Sequence, residues 1–138
     1  IVLFDGEDSG EAGRVHSFCL GSAYYVEHMV TPKPTYGVLV DMVGDSNLDI
    51  YIEQNSMALA PRVVELILQS AQGSSSFHTS VRHSIHDDHM NLIESGIPCA
   101  AIIDFDYQYW HTLQDTPEKC SARSLKTVGE VLLRIAYR

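Results

Sequence analysis

Apolar and polar residues follow one another along the chain in two kinds of pattern, one typical of strands and the other of helices. Continuous apolar runs predict strands buried on both faces over residues 1–4, 36–43 and 98–103. Alternation of apolar and polar residues predicts a half-exposed strand, near a sheet edge, over residues 48–53. Helical periodicity or end signals predict helices over residues 18–29, 61–71, 87–93 and from 121 to the chain end. In the last helix, the residues predicted to face the core are Leu125, Val128, Leu132 and Ile135.

The alternation of strands and helices predicts an α/β domain with a mostly parallel sheet. A chain of 138 residues has room for one core, so residues 1–138 are predicted to form a single domain. The net charge of −9 argues against a nucleic-acid partner, because binding phosphates requires Lys and Arg. No apolar run approaches the ~20 residues of a membrane-spanning helix. The three cysteines (Cys19, Cys99 and Cys120) are too few and too scattered for a disulfide framework, which leaves the compartment open.

Acidic residues follow directly after three of the apolar runs. The first run leads into Asp5-Gly6-Glu7-Asp8, the second contains Asp41, and the third leads into Asp104. Ligands of open α/β sheets bind beyond the carboxyl ends of the strands, so these carboxylates are predicted to converge. Carboxylates with the imidazole of His111 are ligands suited to zinc. A single such Asp more often caps a helix or fixes a turn, and the metal prediction depends on several of them meeting.

Five short segments occur in an order and at a spacing that resemble the zinc aminopeptidase and glutaminyl cyclase family. They are F-D-G-E-D at 4–8, V-D-M-V-G-D at 40–45, D-D-H at 87–89, G-I-P at 96–98, and W-H-T at 110–112. The resemblance extends over essentially the whole chain. It implies a three-layer α/β/α fold with a mostly parallel, mixed sheet.

Carried over position by position, the resemblance implies a metal centre. Asp8 and His111 would bind one zinc ion. Asp41 would bind a second metal in a peptidase, or act as a hydrogen-bonding acid in a single-zinc cyclase. The full-length protein would therefore carry one or two zinc ions.

The same resemblance implies the groups that act on the substrate. Glu7 would be the general base or acid that moves a proton between the attacking and leaving groups. Asp88 would be a catalytic aspartate on the substrate side, and Trp110 a wall of the substrate pocket. For Asp87 and Asp88, capping of the helix over 87–93 is the structural alternative. A separate metal site at His86-x-x-His89 is a further alternative.

The chain departs from the family at its beginning. Members carry another His and a metal-bridging Asp before the D-G-E-D segment, with several strands and helices around them, and these N-terminal strands are absent from this chain. We therefore expect residues 1–138 to be the C-terminal part of a larger catalytic domain. The alternative is that another residue of this chain supplies the missing zinc ligand. As it stands, the chain is expected to bind zinc weakly. Apolar surface left uncovered by the missing strands is expected to favour self-association.

Three functional hypotheses follow. The first is a zinc-dependent aminopeptidase acting on peptide or protein N-termini through metal-bound water and a Glu base. The second is a glutaminyl cyclase that closes an N-terminal glutamine into pyroglutamate. Three features favour it, namely Trp110 next to His111, the Asp87-Asp88 pair and the Leu20-Gly21-Ser22 segment. The third is a non-catalytic, metal-free binding module of this fold. A secreted, periplasmic or otherwise exported parent protein is compatible with any of them.

Overall fold

The computed structural model describes residues 1–30 and 32–138. Within them, the helices are α1 Leu20–Glu27, α2 Gln54–Leu59, α3 Pro61–Ser70, α4 Asp88–Glu94 and α5 Ala122–Ala136. The strands are β1 Gly37–Asp41, β2 Ile50–Glu53, β3 Phe77–Arg82 and β4 Cys99–Ile103. Short 3₁₀ turns lie at Val15–Ser17 and Pro117–Lys119. Strands and helices alternate along the chain, as the predicted α/β class requires.

All the strand pairing in β1 to β4 is parallel. β1 pairs with β4 from Gly37 opposite Cys99 to Asp41 opposite Ile103. β2 pairs with β3, with an irregularity between Ile50 and Ile52, and β2 also contacts β4. The two pairs therefore lie side by side, and within each pair the carboxyl ends of the strands lie at the same end. The carboxyl end of β1 carries Asp41.

Helices cover the strands on both faces. β4 is buried throughout, and its alternate side chains enter different apolar clusters. Ala100 and Ile102 pack in the large cluster with the apolar faces of α3 and α5. Cys99 packs on the opposite side with Leu92 of α4, in a cluster that partly buried residues of α1 complete. The predicted three-layer α/β/α arrangement is therefore confirmed.

The prediction of a strand over residues 1–4 is wrong. Ile1 and Leu3 are almost fully exposed, and the segment has no strand hydrogen bonds within the described residues. Only Phe4 joins a core cluster, where its ring lies 5.6 Å from that of Tyr25. An apolar run becomes a strand only where a neighbouring backbone accepts and donates its ladder hydrogen bonds. Residues 1–4 lack that neighbour here.

Two elements escaped the sequence pattern. The side chains of β3 are mostly exposed, and its sequence therefore has no apolar run that would predict a strand. β3 occupies the sheet edge at which residues 48–53 were predicted to lie. β2 instead lies inside the layer, with Ile50, Ile52 and Glu53 buried. The short α2 begins directly after β2 and has no periodicity long enough to detect. In α5, Leu125 is half exposed and the fully buried Val131 faces the core in its place.

Where the described residues form helices, none is long and apolar enough to cross a membrane.

A buried carboxylate joins α2, β2 and α4. Glu53 precedes α2, and its side chain accepts hydrogen bonds from the Asn55 and Ser56 N–H groups at 2.8 and 2.6 Å. It also accepts from the Ile85 N–H at 3.0 Å and faces His89 Nε2 at 3.3 Å. Burial acts to raise the pKa of Glu53, but the hydrogen bonds from His89 and the three backbone N–H groups outweigh it and lower the pKa to about 2. The ionised carboxylate is therefore part of the folded structure.

We predict that Glu53→Ala lowers the free energy of unfolding by about 3–5 kcal/mol, because it leaves a buried imidazole and several N–H groups without their acceptor. The measurement is urea unfolding near neutral pH. Glu130→Ala is the matched control, since Glu130 forms only an exposed pair with Lys126 at 3.8 Å. Its change should stay within about 0.5 kcal/mol. Equal effects of the two substitutions would contradict the role given to Glu53.

Candidate metal and acid–base site

The loop that carries Glu7 and Asp8 is held against the start of α1. Three successive N–H groups donate to its carbonyl oxygens: Cys19 to Glu7 at 2.9 Å, Leu20 to Gly6 at 3.2 Å, and Gly21 to Asp5 at 2.8 Å. Gly6 has a φ of +68°, which favours glycine. A Cβ at Gly21 would overlap the backbone of Asp5, so the close approach also requires glycine there. The fixed loop sets the positions of the two acids.

A second loop, after β4, carries Trp110 and His111. Its turns are closed by hydrogen bonds to the Tyr107 and Tyr109 carbonyls, and the Tyr107 hydroxyl donates to Asp115 at 2.6 Å. The ring of Trp110 stacks on His111 with centroids 4.2 Å apart. His111 adopts a φ of +56°, which is uncommon outside glycine. The loop therefore holds the imidazole in a defined orientation with the half-exposed indole beside it.

The structure brings Asp8 and His111 together from opposite ends of the sequence. His111 Nε2 lies 3.6 Å from Asp8 Oδ1. Two ligands that each lie 2.0–2.2 Å from one tetrahedral zinc ion are themselves roughly 3.3–3.6 Å apart. The separation therefore suits a shared ion, and both side chains are open to solvent on their outer side.

Acids from three segments meet beside this pair. Burial raises the pKa of Glu7 to about 7, with further contributions from Asp8, Asp87 and Asp41. Burial also raises the pKa of Asp87 to about 6, against a hydrogen bond from the Asp88 N–H. The pKa of Asp41 is raised by burial, opposed by the Met42 N–H, with Asp8 and Asp88 adding to it. The acids that neighbour one another are Glu7, Asp8, Asp41, Asp87 and Asp88.

The donor set fits a zinc ion. Asp8 and His111 supply a carboxylate and an imidazole at a suitable separation, and half-buried Asp41 lies close enough to Asp8 for their charges to interact. Oδ2 of Asp87 and Oδ1 of Asp88 are buried without a hydrogen-bond partner. Buried carboxylate oxygens without partners are energetically unfavourable unless a cation, a proton or a donor compensates them. A cation at the mouth of the cluster would relieve part of this repulsion.

Asp104 does not join the other acids. It follows Ile103, which is aligned with Asp41, and the next side chain along an extended segment points to the opposite face. Its Oδ2 accepts the Asp49 N–H at 3.0 Å. Burial raises the pKa of Asp104 to about 6, the hydrogen bond from Asp49 opposes this, and the charges of Asp45, Asp49 and Asp106 add to it. The expectation that it converges with the site acids is therefore wrong.

The alternatives at residues 86–89 have a clear outcome. Asp87 is the N-cap of α4, where its side chain accepts the Asp88 N–H at 2.6 Å. His89 is fully buried against Glu53, whereas His86 is exposed. The two imidazoles therefore do not share a metal site. Asp87 caps the helix and at the same time lines the acid cluster.

Residues missed in the sequence complete the surroundings of Glu7. Cys19 is buried at the N-cap of α1, and one atom of each of Glu7, Cys19 and Asp87 lies within 4.8 Å of the others. The sequence offered no signal for Cys19, because the helix predicted over residues 18–29 placed it inside the helix and not at its N-cap. No local pattern connects it with Asp87, because only the contact between α1 and α4 brings them together.

Comparison with known proteins matches residues 1–136 to the model of Peptidase family M28. The chain belongs to that family. It is 24% identical over 157 residues to a glutaminyl-peptide cyclotransferase of Gloydius blomhoffii. The alignment covers 96% of this chain and 43% of that protein. The predicted family resemblance is confirmed.

Solved structures give the same picture. A glutaminyl cyclase of Tannerella forsythia is 34% identical, with a TM-score of 0.89 over 100% of this chain and 54% of its own. A Zn-dependent exopeptidase of Parabacteroides distasonis is 30% identical, with a TM-score of 0.89 over 99% of this chain and 53% of its own. The chain therefore spans about half the length of the proteins it matches.

We predict that replacing Asp104 changes the pH dependence of stability. Its pKa rises from 3.8 to about 6 on folding, so the stability associated with its protonated form is present below pH ~4 and is lost as pH rises through about 6. In Asp104→Asn, this loss, on the order of 2 kcal/mol, should disappear. Urea unfolding at pH 4, 5.5 and 7 measures it. Glu130→Gln serves as the control, and an identical pH profile for wild type and Asp104→Asn would refute the assignment.

We also predict that His111→Ala weakens zinc binding at least tenfold, or by about 1.4 kcal/mol, because it removes one of the two candidate ligands that lie 3.6 Å apart. Calorimetric titration of the protein with zinc measures the affinity. The exposed His86→Ala is the matched control and should bind like wild type. Unchanged affinity in His111→Ala would exclude His111 as a ligand.

Proposed function

We propose that this protein is a zinc-dependent enzyme acting on peptide N-termini, and that its reaction is cyclisation of an N-terminal glutamine to pyroglutamate. Similarity to a glutaminyl cyclase favours cyclisation as the reaction, and the observation that best supports acid–base chemistry at this site is Glu7. It is a half-buried carboxyl with a pKa of about 7, next to the Asp8 and His111 pair. A carboxyl with a pKa near the working pH can both accept and donate a proton within one reaction.

Cyclisation needs such a two-way proton carrier. The free α-amino nitrogen of the substrate attacks the carbon of its side-chain amide, so a C–N bond forms and the C–NH₂ bond breaks. Glu7 would take the proton from the attacking nitrogen and return it to the nitrogen that leaves as ammonia. Zinc, when bound by Asp8 and His111, would act as a Lewis acid toward the amide carbonyl.

The remaining residues would hold the substrate. Oδ1 of Asp88 is buried and has no hydrogen-bond partner, so it can accept an N–H of the bound glutamine. Asp41 lies beside Asp8 and can accept a second hydrogen bond or a proton. The half-exposed indole of Trp110 stacks on His111 and presents an apolar wall to the substrate side chain. These roles for Asp88, Asp41 and Trp110 are part of the proposal.

The proposal includes a larger catalytic domain. Asp8 and His111 supply two protein ligands, whereas catalytic zinc sites usually have three. We propose that residues 1–138 form the C-terminal part of that domain and that further chain supplies the remaining ligand. The additional strands would cover the exposed side chains of Ile1, Val2 and Leu3. In the absence of those strands, the exposed side chains would promote self-association.

An aminopeptidase is the second candidate, favoured by the similarity to a Zn-dependent exopeptidase and by the position of Asp41. Asp41, whose charge interacts with that of Asp8, would hold a second metal ion. In that reaction Glu7 would take a proton from the attacking water and deliver it to the leaving amine. A non-catalytic binding module is the third candidate, and absence of saturable zinc binding by the natural-length protein would support it.

We predict turnover of a Gln-peptide, with release of ammonia, and little turnover of an aminoacyl-nitroanilide by the natural-length protein with zinc. Glu7→Gln should lower kcat by about 10²–10⁴, because the amide cannot carry the proton. Glu11→Gln is the control, since Glu11 forms only an exposed pair with Arg14. Preferential turnover of the nitroanilide would favour the aminopeptidase, and full activity of Glu7→Gln would exclude its proposed role.

A further inference from the structure

A second group of potential metal ligands lies behind the proposed zinc pair. Glu7, Cys19 and Asp87 each have one donor atom within 4.8 Å of the other two. None of these atoms belongs to Asp8, Asp41 or His111. The group combines a thiol with two carboxylates, and it shares with the proposed reaction only the carboxyl of Glu7.

The fold holds this group together with hydrogen bonds between two helices. Asn91 of α4 donates its amide N–H groups to the Cys19 carbonyl at 3.1 Å and the Ser22 hydroxyl at 2.8 Å. These bonds fix the start of α4, where Asp87 is the N-cap, against the start of α1, where Cys19 is the N-cap. The Cys19 backbone has a φ of +54°, which L residues rarely adopt. The thiol therefore reaches Asp87 through a fixed local geometry.

Asp87 has an unused oxygen in this setting. Its Oδ1 accepts the Asp88 N–H, and its Oδ2 is buried without a partner, in a residue that is only 4% exposed. Cys19 is 0% exposed. Burial, followed by the charges of Asp88, Asp87 and Glu7, raises the pKa of the Cys19 thiol to about 12. The negative field that holds the thiol proton also favours a cation, and a metal ion deprotonates a coordinating thiol.

We propose that Glu7, Cys19 and Asp87 form a second, inhibitory site for a thiophilic divalent cation such as Cd²⁺ or excess Zn²⁺. Thiolate ligands favour soft ions, and zinc accepts mixed sulfur and carboxylate ligands. The ion replaces the proton on Cys19 Sγ, which passes to solvent, and no electron is transferred. Occupation of the site removes Glu7 from proton transfer. The inhibitory part rests on the proposed function, whereas cation binding does not.

The binding test uses Cd²⁺ alone, added to the zinc-loaded, natural-length protein, and the ultraviolet charge-transfer band of a Cd–thiolate bond. Cys120→Ser is the background, because Cys120 is exposed and could bind Cd²⁺ itself. Exchange of Cd²⁺ for zinc at Asp8 and His111 gives no such band, since that pair has no sulfur. We expect a saturable band in Cys120→Ser that is lost on adding Cys19→Ala.

The matched control is Cys99→Ala in the same background. Cys99 is equally buried, but it packs with Leu92 and Ile97 in an apolar cluster, so its removal should leave the band. Asp87→Asn keeps an N-cap acceptor and should weaken Cd²⁺ binding at least tenfold. Cys19→Ser, which preserves size, replaces Cys19→Ala if circular dichroism shows that the alanine variant is unfolded. A missing band, or a band that depends on Cys99 and not on Cys19, overturns the site.

The activity test measures the fraction of Gln-peptide or nitroanilide turnover that Cd²⁺ removes, relative to each variant's own rate without Cd²⁺. We expect strong inhibition in the Cys120→Ser background and at least tenfold weaker inhibition when Cys19→Ala is added. Equal inhibition of the proteins with and without Cys19→Ala would overturn the inhibitory role of the cation site. A protein with no turnover of either substrate would contradict the proposed function, while the absorption measurement still decides whether the cation site exists.

Discussion

The mutual repulsion of carboxylates in a partly dry cleft is the constraint on which the rest of this structure depends. The buried Asp87 and Asp88 and the half-buried Glu7 and Asp41 approach one another beside the exposed Asp8. Burial is the main cause that raises the pKa of Glu7, Asp41 and Asp87. Such a cluster is unfavourable without a cation or bound protons. The same unfavourable term gives Glu7 a pKa near neutrality and makes the cleft attractive to cations.

The surrounding fold resists the repulsion with hydrogen bonds that involve backbone groups. The D-G-E-D loop is tied to α1 by three N–H donors, and α4 is tied to α1 through Asn91. Glu53 offers a contrast with the site acids. It is more buried than Glu7 or Asp41, but three backbone N–H groups and His89 donate hydrogen bonds to it, so its pKa falls. Whether a buried carboxylate is structural or reactive is thus decided by its donors and not by its burial.

Membership of Peptidase family M28 and similarity to glutaminyl cyclases and a zinc exopeptidase agree with this arrangement of acids and imidazole. The chain spans about half the length of these relatives. The two candidate reactions need the same proton carrier and the same Lewis acid, and they differ in the nucleophile. An amine already held within the substrate requires no water, whereas peptide hydrolysis requires one.

The sequence by itself determined the α/β class, most helices and inner strands, and the segments that hold the site, because hydrophobic periodicity, caps and the spacing of motifs are local properties. Asp8 and His111 could be predicted as partners only through the resemblance of their motifs to a known family, because residues so far apart in the sequence share no local pattern. Only the tertiary structure decided the rest. It showed that residues 1–4 have no strand partner, that β3 forms an edge without an apolar run, and that Asp104 faces away from the site. It also placed Cys19 beside Asp87 and Glu53 beside His89, since contacts between distant segments depend on how helices and strands pack and leave no periodic trace in the chain.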